Sequence, residues 1–159
     1  MSLFNDTISA FWTVLEADET WAALMTTKAN KIKLTNAELL HKLTLEPSNC
    51  PLFGIAPEPE GSQWPPARRR RGPGLAKVFA VGVEGAVAGQ PRAPILAMAE
   101  AFFDAIEADM QLATGSVLAA LDVDEVDYQG LSFLAQPNQN DVIESWSFRV
   151  TAIVRYRES

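Results

Sequence analysis

Residues 142–157, "VIESWSFRVTAIVRYR", read as one strand that alternates from Trp146 onward. Trp146, Phe148, Val150, Ala152, Val154 and Tyr156 fall on one side; Ser147, Arg149, Thr151, Ile153, Arg155 and Arg157 fall on the other. Period-two alternation rich in β-branched and aromatic residues is the signature of a strand with one face on a core. Fully extended, this one reaches roughly 50 Å at about 3.3 Å per residue, against a usual strand of about 5–6 residues. A single small domain is not expected to cover both sides of such a ribbon. The expectation is that part of it projects, or pairs with a second copy of the chain.

The rest of the chain supplies helices for that strand to pack against. Phe4, Ile8, Phe11, Trp12 and Leu15 recur at helical spacing, with a break at "EADET" (16–20) before a shorter helix carrying Trp21, Leu24 and Met25. "KANKIKL" (28–34) reads as a short strand or a loop. "TNAEL" (35–39) is a capping box, with Thr35 and Glu38 in the reciprocal positions, and it predicts a short helix of Leu39, Leu40 and Leu43 that Pro47 ends. "CPLFGIAPE" (50–58) reads as a strand whose flanking prolines suggest an edge or one-sided pairing. Residues 57–74, "PEPEGSQWPPARRRRGPG", can build no core and read as a long hairpin loop. The strand-like "LAKVFAVGVEGAVAG" (75–89) follows it, with Gly82 and Gly85 marking a bulge or a close approach.

A second long helix starts near Pro94, carries Ile95, Met98, Ala99, Phe102, Ile106 and Met110 on its apolar stripe, leaves Glu100, Asp104, Glu107 and Asp109 off it, and stops by Gly115. Strands are predicted at about 117–128, 131–135 and 142–157, with "QPNQND" (136–141) turning into the last. Successive strands joined by turns favour antiparallel pairing. The prediction is a single α+β domain over residues 1–159, two layers deep, with a mainly antiparallel sheet and helices on one face.

Chemistry is scarce. His41 is the sole histidine, which excludes a zinc site built on several imidazoles. Cys50 is the sole cysteine, so no internal disulfide forms and a reducing compartment is expected. The acidic cluster Asp122, Asp124, Glu125 and Asp127 lacks calcium-loop spacing, because Val126 stands where a ligand is needed. No phosphate-binding glycine loop and no nucleophile elbow is present. Neither a catalytic residue, a metal nor a cofactor is predicted, and the protein is not expected to be an enzyme. The start, "MSLFNDTISAFW", lacks the basic-then-apolar order of a signal peptide, and no run reaches the length of a membrane span.

A formal net charge of −7 argues against general nucleic-acid binding. Two local features stand out. Arg68, Arg69, Arg70 and Arg71, with Trp64 just before them, form a contact loop for an anion, an acidic protein surface or a DNA phosphate path. The basic face of the last strand, with Arg149, Arg155 and Arg157, complements the carboxylates Asp122, Asp124 and Asp127, which suits head-to-tail packing of one copy on the next.

The layout of "FNDTISAFWTVLEADETWAAL", "CPLFGIAPEPE", "AKVFAVGVEGAV", "PILAMAEAFFDAIEADM" and the terminal "SWSFRVTAIVRYRES" resembles the tail terminator proteins of long-tailed bacteriophages. The resemblance spans nearly the whole chain and is one of pattern. It implies a hexameric ring in the virion, assembled in the host cytoplasm, that caps the tail tube, stops its elongation and joins it to the head–tail connector or neck proteins. DNA, without sequence preference, would pass through the hole. Six copies together would carry −42 formal charges, a lining on which DNA does not stick. The neighbouring alternative is a head-completion, neck or tail-tube-associated subunit. The alternative of a different class is a small-molecule-binding or enzymatic α+β domain.

Overall fold

The computed structural model describes residues 2–25, 31–33, 50–64 and 77–157. Two helices, α1 (Leu3–Ala17) and α2 (Glu19–Leu24), lead into strands β1 (Lys31–Lys33), β2 (Leu52–Pro57) and β3 (Lys77–Ala88). Helix α3 (Ala93–Met110) and a 3₁₀ turn (Ala119–Leu121) precede β4 (Val123–Pro137) and β5 (Ile143–Tyr156). The fold is α+β, as the alternation predicts. The capping box at 35–38, the helix expected at 39–43, His41 and Arg68–Arg71 lie outside the described residues.

Asp18 explains the break between the first two helices. Its backbone is extended, its N–H closes the end of α1 on the Leu15 carbonyl, and its carboxylate accepts from the Trp21 N–H at 2.8 Å to start α2. The turn brings Trp21 edge-on to Trp12 and Phe53, with centroids 6.1 and 5.3 Å away, and anchors both helices to β2.

The sheet runs β1-β2-β3-β5-β4. β5 therefore lies inside it. It pairs antiparallel with β3 from Ser145 to Tyr156 and with β4 from Ile143 to Tyr156. This corrects the expectation that the ribbon projects or needs a second copy: its two backbone edges are satisfied by its own chain. Both side faces are used as well. Phe148, Val150, Ala152 and Val154 are buried beneath the helices, and burying each large apolar side chain is worth about 1.5–3 kcal/mol. On the opposite face Ile153 packs with Val78 and Ala80. Residues 58–62 bulge out beside β3 there: Glu58 N–H donates to the Ala80 carbonyl, Ser62 Oγ accepts from the Ala80 N–H, and Gln63 bridges Val78.

β2 is also paired on both sides, antiparallel to β3 and parallel to β1, so its flanking prolines do not mark an edge. Pro51 precedes the strand and Pro57 ends it, which leaves the donors between them available. Gly85 is a close approach and no bulge, since β3 keeps continuous register. A Cβ there would stand 2.5 Å from Phe148 Cε1 and 2.6 Å from Met98 Sδ, both fully buried.

Two further expectations change. Residues 117–121 form a turn closed by Asp122 in a left-handed conformation (φ 62°), and the pieces predicted at 117–128 and 131–135 join as one strand. Gly130 (φ 67°) is a bulge within it and no terminator: Gln129 faces Thr151 and Ser132 faces Arg149, one residue extra on β4. Asp109, placed off the apolar stripe by spacing alone, is buried. Its carboxylate accepts from Ser116 Oγ (2.8 Å), Val117 N–H (2.9 Å) and Leu118 N–H (3.1 Å), and so seats the link from α3 to β4. α3 ends at Met110, before Gly115.

Gly85→Ala should lower stability by about 1–3 kcal/mol, because the ring and thioether facing it have to move; urea unfolding should show an earlier midpoint at unchanged slope. Asp109→Ala strands two N–H groups and a hydroxyl in the interior, and the same measurement should register a loss of about 2–3 kcal/mol.

Candidate assembly surface

β4 is the last strand of the sheet, and its outer edge pairs with nothing among the described residues. Long free edges are templates for further pairing, and proteins commonly guard them with lysine, proline or a covering segment. β4 carries no lysine or arginine, and its one proline is its final residue.

The bulge at Gly130 shapes what this edge displays. Ahead of it Val126 and Tyr128 oppose Val154 and Ala152, on the helix-facing side. Beyond it the parity is reversed, and Phe133 and Ala135 oppose Phe148 and Trp146. Leu134 then falls on the other side of the sheet and is 60% exposed. Leu131 and Phe133 are exposed too, so apolar side chains emerge on both sides of a single free strand.

The first half of β4 and the last turns of α3 enclose an open groove of about 670 Å³. Phe103, Ile106, Met110, Val126, Tyr128 and Leu131 form its walls; Glu107, Asp124 and Glu125 stand at its rim. The Tyr128 ring sits edge-on to Phe103 (4.6 Å) and Phe102 (5.9 Å). Burial pushes its phenol far above the ordinary value, and the Glu107 carboxylate adds to the shift.

The charged residues singled out by the sequence meet within one chain. Arg155 Nε lies 3.1 Å from Asp127 and 4.0 Å from Glu125; Arg157 Nε lies 3.9 Å from Asp124. These are cross-strand pairs of the β4–β5 hairpin, which the strand register makes available before any second copy is needed. Arg149 is elsewhere, held by both oxygens of Glu58 (2.8 and 3.1 Å) and by Glu84 (3.2 Å). Glu58 and Glu84 are largely shielded from water, so this guanidinium neutralises two carboxylates on the covered face of the sheet. Asp122 serves as the left-handed cap before β4, and the Arg157 N–H donates to its carbonyl at 2.7 Å.

Trp64 is half-exposed and packs on its own chain. Its ring is edge-on to Phe4 (5.2 Å) and Tyr156 (5.9 Å), with the Lys77 ammonium 5.3 Å from its centroid. Nearby, the Tyr156 and Thr7 hydroxyls are 2.7 Å apart, joining α1 to β5. Burial raises the Tyr156 phenol, and the bond to Thr7 partly offsets that.

Among the described residues no group of three His, Cys, Asp or Glu side chains is placed to hold a metal, and no helix is long and apolar enough to cross a membrane. Burial raises the Cys50 thiol, which keeps it protonated and a poor nucleophile near neutral pH. The exposed apolar edge and the groove beside it were not visible as a site in the sequence; the signal available was the unguarded "GLSFLAQP". No protein-family model matches the chain, and no curated protein matches it.

Both tyrosines of the chain have phenols raised by burial, Tyr156 buried and Tyr128 partly so. The unfolded chain ionises them near pH 10, the folded chain only at higher pH, so their contribution is complete below about pH 10 and lost as pH rises beyond it. At pH 10, absorbance at 295 nm should show less tyrosinate in the folded protein than in the urea-unfolded chain, and Tyr128→Phe should remove one of the two titrating phenols.

Proposed function

We propose that the protein is a structural subunit that packs side by side with copies of itself into a ring, in the manner of the phage tail terminators that its layout resembles. In that role it caps the tail tube in the virion, joins it to the neck, and lets DNA pass through the central hole. The observation that carries the reading is the β4 edge: a strand running from Val123 to Pro137 whose outer side pairs with nothing among the described residues, with no basic guard, and with Leu131, Phe133 and Leu134 exposed. A surface of this kind costs solubility when left bare and supplies interface energy when covered. The acidic balance of the chain supports a passage for DNA without adhesion. β5 is satisfied within the chain, whereas the outer edge of β4 beside it has no partner among the described residues.

The α3–β4 groove supports a second reading, capture of a small apolar ligand between Phe103, Met110 and Tyr128. Thermal-shift screening separates the two, because a ligand site raises the melting temperature of a monomer.

Light scattering and negative-stain imaging of the purified protein should show rings of about six copies with a central opening, the cyclic closure that head-to-tail contacts produce. A monomer at all concentrations would sink the proposal. Leu131→Ser with Leu134→Lys should leave folding stability within about 0.5 kcal/mol, since both side chains are exposed, and should abolish the ring.

A further inference from the structure

We infer that the first half of β4 receives an extended segment of a partner polypeptide in which apolar and basic residues alternate, added to the sheet along the outer edge of the strand. The inference goes beyond the ring reading and does not depend on it. Strand parity sets the pattern. Val126 and Tyr128 oppose Val154 and Ala152 on the helix-facing side, whereas Glu125 and Asp127 oppose Arg155 and Ile153 on the other. A strand laid along the outer edge repeats that parity: every second side chain turns toward α3, and those between turn toward the two carboxylates. On the α3 side lies the groove of about 670 Å³, walled by Phe103, Ile106, Met110 and Tyr128, which suits apolar side chains. Around it the charge is unbalanced. Glu107, Asp124, Glu125 and Asp127 bring four carboxylates to this end, against the two guanidiniums of Arg155 and Arg157. Only the Arg155–Asp127 contact is short, at 3.1 Å; Glu125 and Asp124 stand 4.0 and 3.9 Å from arginines that are themselves exposed. Glu107 meets no cation among the described residues and accepts from the Gln111 amide at 3.2 Å. Neither α3 nor β4 contains a lysine or an arginine. An anionic segment is repelled here, and a wholly apolar one leaves the carboxylates uncompensated. The inner edge of the same strand already carries the matching pattern: Val154, Arg155 and Tyr156 of β5 alternate beside it, with Arg155 on the carboxylates and its neighbours in the core. A helix in the groove would leave the backbone groups of the edge unused, whereas a strand pairs them.

Peptide binding tests the site. The probe is a fluorescently labelled, end-capped octapeptide that alternates valine with arginine. It is titrated with the wild type and with Leu134→Lys, which charges the exposed stretch that copies would cover in a ring. Fluorescence anisotropy should show saturable binding at one site per chain. A peptide of the same composition in two blocks, valines then arginines, should bind about tenfold more weakly or worse, since only alternation meets both faces at once. Backbone N-methylation separates strand addition from mere contact. In a paired strand the N–H groups of alternate residues point at the neighbour, and those between point away. Methylating the valine nitrogens and methylating the arginine nitrogens should therefore have opposite results, one series losing binding and the other keeping it. Glu107→Lys with Glu125→Lys, both at exposed positions, should weaken binding of the alternating peptide by about tenfold or more while far-UV circular dichroism stays unchanged.

Absence of binding by both forms overturns the strand site and leaves the ring reading standing. Equal binding of the block peptide, equal effects of the two methylated series, or indifference to the charge reversal overturns it as well. A wild type that stays monomeric and takes the alternating peptide removes the ring and keeps the strand site.

Discussion

The structure depends on β5 being hydrogen-bonded along both edges. Every buried N–H and C=O needs a partner, and a strand in the middle of a sheet finds its partners only if two others match its length. β3 and β4 do so, running beside it almost from end to end. That requirement fixes much else. The helix-facing side of β5 becomes the floor on which α1 and α3 rest, tied at one end by Tyr156 to Thr7 and at the other by the Trp146 indole to the Gln90 carbonyl. The opposite side must be tolerable without a helix layer. It is covered by the 58–62 bulge, by Ile153 on Ala80 and Val78, and by Arg149 set between Glu58 and Glu84.

Satisfying β5 moves the burden outward. β4 gives one edge to β5, and among the described residues nothing pairs with the other. The Gly130 bulge then decides which side chains that edge strand shows. In strict alternation, Ser132 and Leu134 would share a side with Val126 and Tyr128, and Phe133 would face the other way. With the bulge, Phe133 turns to the helix-facing side and Leu134 to the other, both exposed.

Much of this is legible in the residues. Period-two alternation from Trp146 to Tyr156 announces β5, helical spacing from Phe4 to Leu15 announces α1, and Pro94 announces α3. The fold class follows from their order. What alternation cannot convey is position within the sheet, because a central strand and an edge strand of equal length carry the same pattern when both have one polar face. Hence β5 reads as needing outside help, and β2, framed by prolines, reads as an edge. Glycine is ambiguous in the same way: Gln129-Gly130 has turn composition, yet a left-handed glycine also makes a bulge. Asp109 was hidden because helical spacing says nothing about a loop that folds back to cover a carboxylate. Arg155 and Arg157 read as complementary to Asp124 and Asp127, and the antiparallel hairpin brings them together within one chain.

The order of strands also sets the order of events during synthesis. The ribosome delivers β1, β2, β3 and β4 before β5, yet β5 separates β3 from β4 in the finished sheet. A nascent chain can form the β2–β3 hairpin and α3 early, but among the described residues β4 has no strand partner until its successor has left the exit tunnel. Closure of the sheet is thus a late, long-range step that inserts one strand between two waiting ones. During that interval the nascent β4 lies open to chaperones, to misregistered partners and to other chains on the same polysome.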